Sequence, residues 1–521
     1  MIKLAERILF YGSLALSILM IFLSSYNPSL DGPSHLYNAR LLNSLLSGND
    51  FVQSFYSINK VPIPNLTDHF LLALFNIVFP PALSLKLLLT LCVCLLALSF
   101  RRLIGLVRPE NIGLSAFSIP LAHSFLFYIG FYNFCLSQGL MVWAIFYYLK
   151  HLHSLGTYIN AKKYLAMLSL LTLVYFTNGL SFLLAGLVLL LLETGPLFAL
   201  IKSKQFGRIG RRVFWFASLW LPGVTCFIAF ILLIPVPTVN PPVILSFHEH
   251  LQWIYHIRPL DVYSGIETKY TRGFFCLIAL LTATGLYMGF KRGSFLRESN
   301  LLPLLIATIA VLVLYFTVPD SASVGMMSYR LCFYLFLFFI LWLCVQQNIK
   351  VVKWAVIILV YCLNWMLFFT QHWPVIKQLD STAQEIVDAS KYIKPNSIVL
   401  PIECTGNWCM EHFIDYTGID EPFINPTNYE ANTGWFPITW KNGVVDTAFI
   451  NKEYRIPHTL IWNEPSMGLN REIDYIFVLG DMNKVRTEYL PLSSNIKNKC
   501  SLTYFSNDSL IHIYKVNHKQ I

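Results

Sequence analysis

Residues 24–46 read SSYNPSLDGPSHLYNARLLNSLL and follow directly on an apolar run that ends near Leu23. An Asp, a Gly, a Pro and a His sit together where the chain leaves a hydrophobic stretch. Pro33 suits the first turn of a helix and Gly32 is an acceptable N-cap. The leucines at 36, 42, 45 and 46 then fall on one broad face, the pattern of an amphipathic helix lying on a bilayer. Asp31 stands at the mouth of that helix and His35 one turn inside it. By spacing alone, Asp31 either complements the helix dipole or serves a site, and His35 either faces water or joins it.

The surrounding chain makes that corner extramembrane. Of its 521 residues 55% are hydrophobic and 13% charged, about half the charge of a soluble domain. About eleven apolar runs reach spanning length, near 8–25, 83–100, 112–129, 133–150, 163–177, 180–200, 213–235, 272–290, 301–318, 330–346 and 352–370. The first has no small-residue cleavage signal and reads as a retained helix. The expectation is an α-helical polytopic membrane protein.

Lys and Arg alternate with the spans. Arg101, Arg102, Lys162, Arg211, Arg212, Arg292, Arg297 and Lys353 fall in gaps on one side, whereas the other side carries few, among them Arg258 and Arg330. The positive-inside rule then puts the N-terminus in the cytoplasm of a plasma (inner) membrane and everything after residue 370 outside. Residues 66–80, LTDHFLLALFNIVFP, are apolar but short, and counting them as a span would reverse the pattern, so they read as interfacial or re-entrant. The net charge of +10 follows this topology. No basic run is dense enough to track a nucleic-acid backbone.

Two domains are expected. Residues 1–370 form the membrane part, with outer loops 26–82 and 236–271, and residues 371–521 form a small extracytoplasmic α/β domain. In the tail, DSTAQEIVDASKYI has a Ser381-x-x-Gln384 capping pattern. SIVLPI, DYIFVLGD and SLTYFSNDSLIHIYKV alternate as strands, with a turn at Asn507-Asp508. Cys404 and Cys409 could form a disulfide, bind a metal or stay free.

Cytoplasmic gaps are too short for a nucleotide-binding domain, and neither a P-loop nor a strand-G-x-G-x-x-G-helix occurs. Any site is therefore extracytoplasmic. Beyond Asp31 and His35, its candidates are His250, His256 and Arg258 in the second loop, Tyr329 and Arg330 opening a late span, and Asn133 and Asn178 in short turns. A fixed guanidinium just inside an outer cavity, as Arg330 would supply, suits an anionic lipid phosphate, although snorkelling is the more ordinary reading of Arg330 taken alone. The asparagines could bond sugar hydroxyls or simply make turns.

LDGPSHLYNARLL (30–42), FYIGFYNFCLSQGL (127–140) and YFTNGLSFLLAG (175–186) together resemble a bacterial branch of the GT-C superfamily of membrane glycosyltransferases. The resemblance implies inverting transfer of a sugar from a polyprenyl-phosphate donor to a glycan, lipid or protein acceptor. Asp31 would be general base, and Arg330, with His35, would face the leaving phosphate. Metal-dependent members carry D-x-D or E-x-D in this loop. Here Gly32 and Pro33 follow Asp31, so the motif gives no support for a divalent cofactor. The competing reading is a non-enzymatic envelope protein, a transporter or assembly partner. The spans hold few ionisable groups and no repeat, which speaks against transport.

Overall fold

The computed structural model describes residues 2–153, 160–234, 242–291, 302–321, 325–441, 473–488 and 490–517. Arg292, Arg297 and residues 236–241 of the second outer loop lie outside them. The chain forms two compact units, one of residues 1–23 and 89–375, the other of residues 24–88 and 376–521.

The first unit is helical. Among the described residues of the chain, seven helices are long and apolar enough to cross a membrane, running Lys3–Leu23, Pro81–Val107, Gly179–Lys202, Phe206–Leu233, Gly265–Lys291, Met327–Cys344 and Lys350–Ser390. The protein is multi-pass. Met327–Cys344 is buried along almost its whole length. Helices Tyr132–His151 and Pro81–Val107 pack so closely at Gly139 that a Cβ there would lie 2.7 Å from the Leu95 and Leu96 backbone, the small-residue packing expected between membrane helices.

Residues 112–129 are not a single span. They form most of a 3₁₀ segment, Pro109–Phe117, and two short helices, Ser118–Ala122 and Phe125–Tyr128, buried from Gly113 onward. Pro120 and several Ser residues interrupt the hydrogen-bond ladder there, and burial satisfies through protein what lipid cannot. Two of the basic residues that set the charge pattern have buried acidic partners. Arg101 grips Glu6 with both terminal nitrogens, at 2.5 and 3.0 Å, and Arg212 grips Glu193 at 2.5 and 2.8 Å.

The second unit joins the first loop to the tail. Strand β1 (Tyr56–Ile58) pairs antiparallel with β3 (Ile438–Trp440). A four-stranded sheet runs β2-β4-β6-β5, built from β2 (Val399–Cys404), β4 (Tyr475–Gly480), β5 (Cys500–Phe505) and β6 (Ile511–Val516). β2 and β4 are parallel, and the other pairs are antiparallel. β4, sequence YIFVLG, is buried at every residue, as a central strand covered on both faces must be. β5 is one edge and exposes Ser501, Leu502 and Thr503. The strands expected in the tail, with their turn at Asn507-Asp508, are all present. Ser381 caps nothing, because helix runs unbroken from Trp373 to Ser390. Cys404 and Cys409 are both buried and form no disulfide with each other.

The helix Gly32–Leu46 is the largest surprise of this unit. It is buried on nearly every side, Ser34, His35, Tyr37 and Asn38 included, so it is not an amphipathic surface helix. Its polar residues are satisfied by the tail instead. Ser34 Oγ donates to Asp415 Oδ2 at 2.6 Å, and Asn428 Nδ2 donates to Asn38 Oδ1 at 2.8 Å. Tyr37 O–H donates to the Phe423 carbonyl and accepts from Asn425 N–H. Leu36, Leu41 and Leu42 are fully buried, contributing about 1.5–3 kcal/mol each.

Candidate active site

The described polar groups that converge around the opening stretch belong to the second unit. They come from the start of the helix Gly32–Leu46, from the short helix Thr67–Asn76, and from the tail segments Phe413–Gly418 and Tyr429–Thr433.

Asp31, not Gly32, occupies the N-cap position, yet its side chain makes no capping bond. A capping side chain needs extended backbone to reach the amides beyond it, and Asp31 is helical at φ −90°, ψ −11°. Ser29 Oγ accepts from Gly32 N–H in its place, at 3.1 Å. The carboxylate is thereby left to the cluster. Oδ1 accepts from Tyr429 O–H at 3.1 Å and lies 3.7 Å from His412 Nε2, while the His412 ring stacks on Tyr429. Burial is the main reason the Asp31 carboxyl is pushed up to about 7; His35 opposes the rise and Glu430 adds to it. Burial likewise holds His412 down at about 4, so it is neutral near pH 7.

His35 enters a ring of charge one turn further on. Its Nδ1 lies 3.0 Å from Glu430 Oε1 and 3.1 Å from His69 Nε2. His69 Nε2 is 2.8 Å from Glu430 Oε2, and its Nδ1 is 2.6 Å from Asp68 Oδ1. All four residues are buried. Burial opposes charge on each of them, but the opposed pairs outweigh it. Asp68 and Glu430 lift His69 to about 10, while His69 and His35 hold Glu430 near 2. Phe436 closes the cluster on one side, its ring 5.5 Å from His69 and 6.2 Å from His35.

Of the residues singled out in sequence, Asp31 and His35 come into one buried cluster. Arg258 and Tyr329 meet each other in the first unit, where Arg258 Nε donates to Tyr329 O–H at 3.0 Å and Nη1 to Asp261 Oδ2 at 2.6 Å. Arg330 is buried, its guanidinium 4.8 Å above the Phe131 ring. His250 is buried against Tyr315 and bonds the Ser246 carbonyl through Nδ1. His256 pairs with Arg272 at 2.8 Å. Asn133 is buried in the first turn of Tyr132–His151. Asn178 has a structural task, capping Gly179–Lys202 by accepting from Ser181 N–H.

Asp68, His69, His412, Tyr429 and Glu430 were not singled out. Asp68 and His69 stand in LTDHFLLALF, a stretch whose hydropathy drew attention away from its two polar residues. The helix they begin exposes Phe70 and Leu74, with Ile77 and Val78 exposed just beyond its end, and ten residues cannot span a bilayer. Only the pair Asp68-His69 in an otherwise apolar run signalled the site.

No protein-family model matches the chain, and no curated protein matches it. Solved structures do. ArnT from Cupriavidus metallidurans, bound to undecaprenyl phosphate, is similar with a TM-score of 0.52 at 12% identity, over 97% of each chain. AglB from Archaeoglobus fulgidus, an archaeal oligosaccharyltransferase solved with an inhibitory peptide and a dolichol-phosphate, has a TM-score of 0.43 at 11% identity, over 98% of this chain and 74% of its own. At such identities likeness speaks for the fold, and only the first is close enough to carry it. The chain therefore shares its fold with the ArnT structure along nearly its whole length.

Proposed function

We propose that the protein is a membrane glycosyltransferase that moves a sugar from a polyprenyl-phosphate carrier to an extracytoplasmic glycan, lipid or protein acceptor, with inversion. One observation carries this reading. An acidic side chain stands at a helix start, does not cap it, and turns instead into a buried polar cluster. The fold shared with a structure that holds undecaprenyl phosphate supports the class of donor.

In this reading Asp31 takes the proton from an acceptor hydroxyl as its oxygen attacks the anomeric carbon. The bond from that carbon to the carrier phosphate oxygen breaks with inversion, and polyprenyl phosphate leaves. Tyr429, donating to Asp31, orients the carboxylate. A carboxylate whose proton affinity lies near neutrality suits a general base better than an ordinary Asp. Arg330, buried and always charged, is our proposed ligand for a lipid phosphate in the membrane. The proposed orientation puts the N-terminus in the cytoplasm of a plasma (inner) membrane and the cluster outside.

The test is transfer by the purified protein from undecaprenyl-phosphate-linked hexoses, read as release of free undecaprenyl phosphate, with Asp31→Asn beside wild type. Wild-type release that falls at least 100-fold in a folded Asp31→Asn protein is expected. Full transfer by that variant would overturn the role of Asp31.

A further inference from the structure

Three donor atoms in the second unit point at one spot. His35 Nδ1, His69 Nε2 and a carboxylate oxygen of Glu430 lie within 4.8 Å of one another, on three separate segments, and all three residues are buried. We propose that His35, His69 and Glu430 bind a divalent transition-metal ion of the zinc class.

The spacing fits. Donors bound to one ion at about 2.0–2.1 Å stand roughly 2.9–3.4 Å from each other in octahedral or tetrahedral arrangements. Here the contacts are 3.1 Å between the two imidazole nitrogens, and 3.0 and 2.8 Å from these to the Glu430 oxygens. Two imidazole nitrogens that face each other and also share one carboxylate are an awkward set for protons alone. If both rings were charged, two N–H groups would meet head on. One cation at their common focus satisfies all three groups.

A second carboxylate completes the arrangement. His69 holds Asp68 Oδ1 at 2.6 Å through Nδ1, so that an ion displacing the Nε2 proton would meet a lone pair facing His35 and Glu430. Metal-bound histidines are oriented by an outer carboxylate in the same manner. Two imidazoles and one carboxylate favour zinc and its neighbours over magnesium or calcium, which prefer oxygen alone. Three protein donors leave a position open for an oxygen ligand, such as a phosphate or hydroxyl oxygen. That last role rests on the glycosyltransferase reading, whereas binding of the ion does not. The site uses none of the D-x-D chemistry absent from this chain.

The experiment measures bound metal. Full-length protein is stripped with a chelator, dialysed against micromolar Zn²⁺ or Mg²⁺, and analysed for metal content. In parallel, Co²⁺ is added and visible absorption recorded. Wild type should hold about one zinc per chain and no magnesium, and Co²⁺ should give ligand-field bands. His69→Ala and Glu430→Gln should lose both signals, and Asp68→Asn should weaken zinc binding about 10–100-fold. Asp31→Asn should keep its zinc, so loss of transfer in that variant is separable from loss of the ion. Folded wild type without stoichiometric zinc or cobalt bands overturns the proposal, even if variants fail to fold. So does retention of zinc in folded His69→Ala and Glu430→Gln.

Discussion

Tyr429 donates its phenolic hydrogen to Asp31 Oδ1 across 3.1 Å, joining residues separated by 398 positions of sequence. A hydrogen bond to a charged group is worth about 1.5–3 kcal/mol, and this one favours the ionised carboxylate. Tyr429→Phe keeps the ring that stacks on His412 and removes only the donor. Transfer should fall roughly 10–100-fold with the melting temperature little changed. Transfer at the wild-type rate would mean that the bond does not orient the base.

Asp415 makes stability depend on pH. Burial raises its carboxyl from 3.8 to about 6, against the opposing hydrogen bonds from Ser34 and Asn425. Between those values the folded unit holds a proton that the unfolded chain lacks, so the slope of stability against pH is negative. The contribution is complete below pH 3.8 and is lost as pH rises through 6. It amounts to something on the order of 2–3 kcal/mol. Asp415→Asn should flatten this part of the thermal-stability profile between pH 4 and 7. An unchanged profile would assign the slope to other groups.

Gly480 ends β4 at φ +116°, where an added Cβ would lie 2.5 Å from the Cys404 carbonyl carbon and the Thr405 nitrogen. Both atoms are backbone and cannot swing aside. Gly480→Ala should therefore destabilise the second unit by about 2 kcal/mol or more, read by thermal unfolding in detergent. A loss below about 0.5 kcal/mol would show that the β2–β4 junction relaxes easily.

Arg101 and Glu6 form a buried bidentate pair. Removing one partner strands the other, at a cost of about 3–5 kcal/mol. Arg101→Met should thus destabilise strongly, and Glu6→Gln with Arg101→Met should recover most of the loss. If the double variant were no better than the single one, stacking of the Arg101 guanidinium on the Phe10 ring rather than its pairing with Glu6 would be the main contribution.

Hydropathy was readable residue by residue because a span answers to a local rule, a long run of apolar side chains. It failed at 112–129, where an apolar run is buried among helices and so need not be a helix itself. The tail strands were legible for the same local reason: YIFVLG and IHIYKV carry β-branched and aromatic residues between turn formers. The helix at Gly32–Leu46 was legible as a helix but not in its surroundings. Its leucine stripe suggested a lipid surface, whereas Ser34, Tyr37 and Asn38 find partners at Asp415, Phe423 and Asn428, nearly four hundred residues away.

By itself the sequence determined that this is a polytopic helical membrane chain with an α/β tail, and that Asp31 and His35 stand at a helix start. Those properties depend on neighbours in sequence: run length, turn residues, a single short motif. Only the tertiary structure decided that residues 24–88 and 376–521 form one unit, and with it that Asp68, His69, His412, Tyr429 and Glu430 surround the opening stretch. The reason is physical. Convergence of charged groups is a property of distance in space, and the energy that holds His69 between Asp68 and Glu430 leaves no trace in the spacing of residues 69 and 430 along the chain.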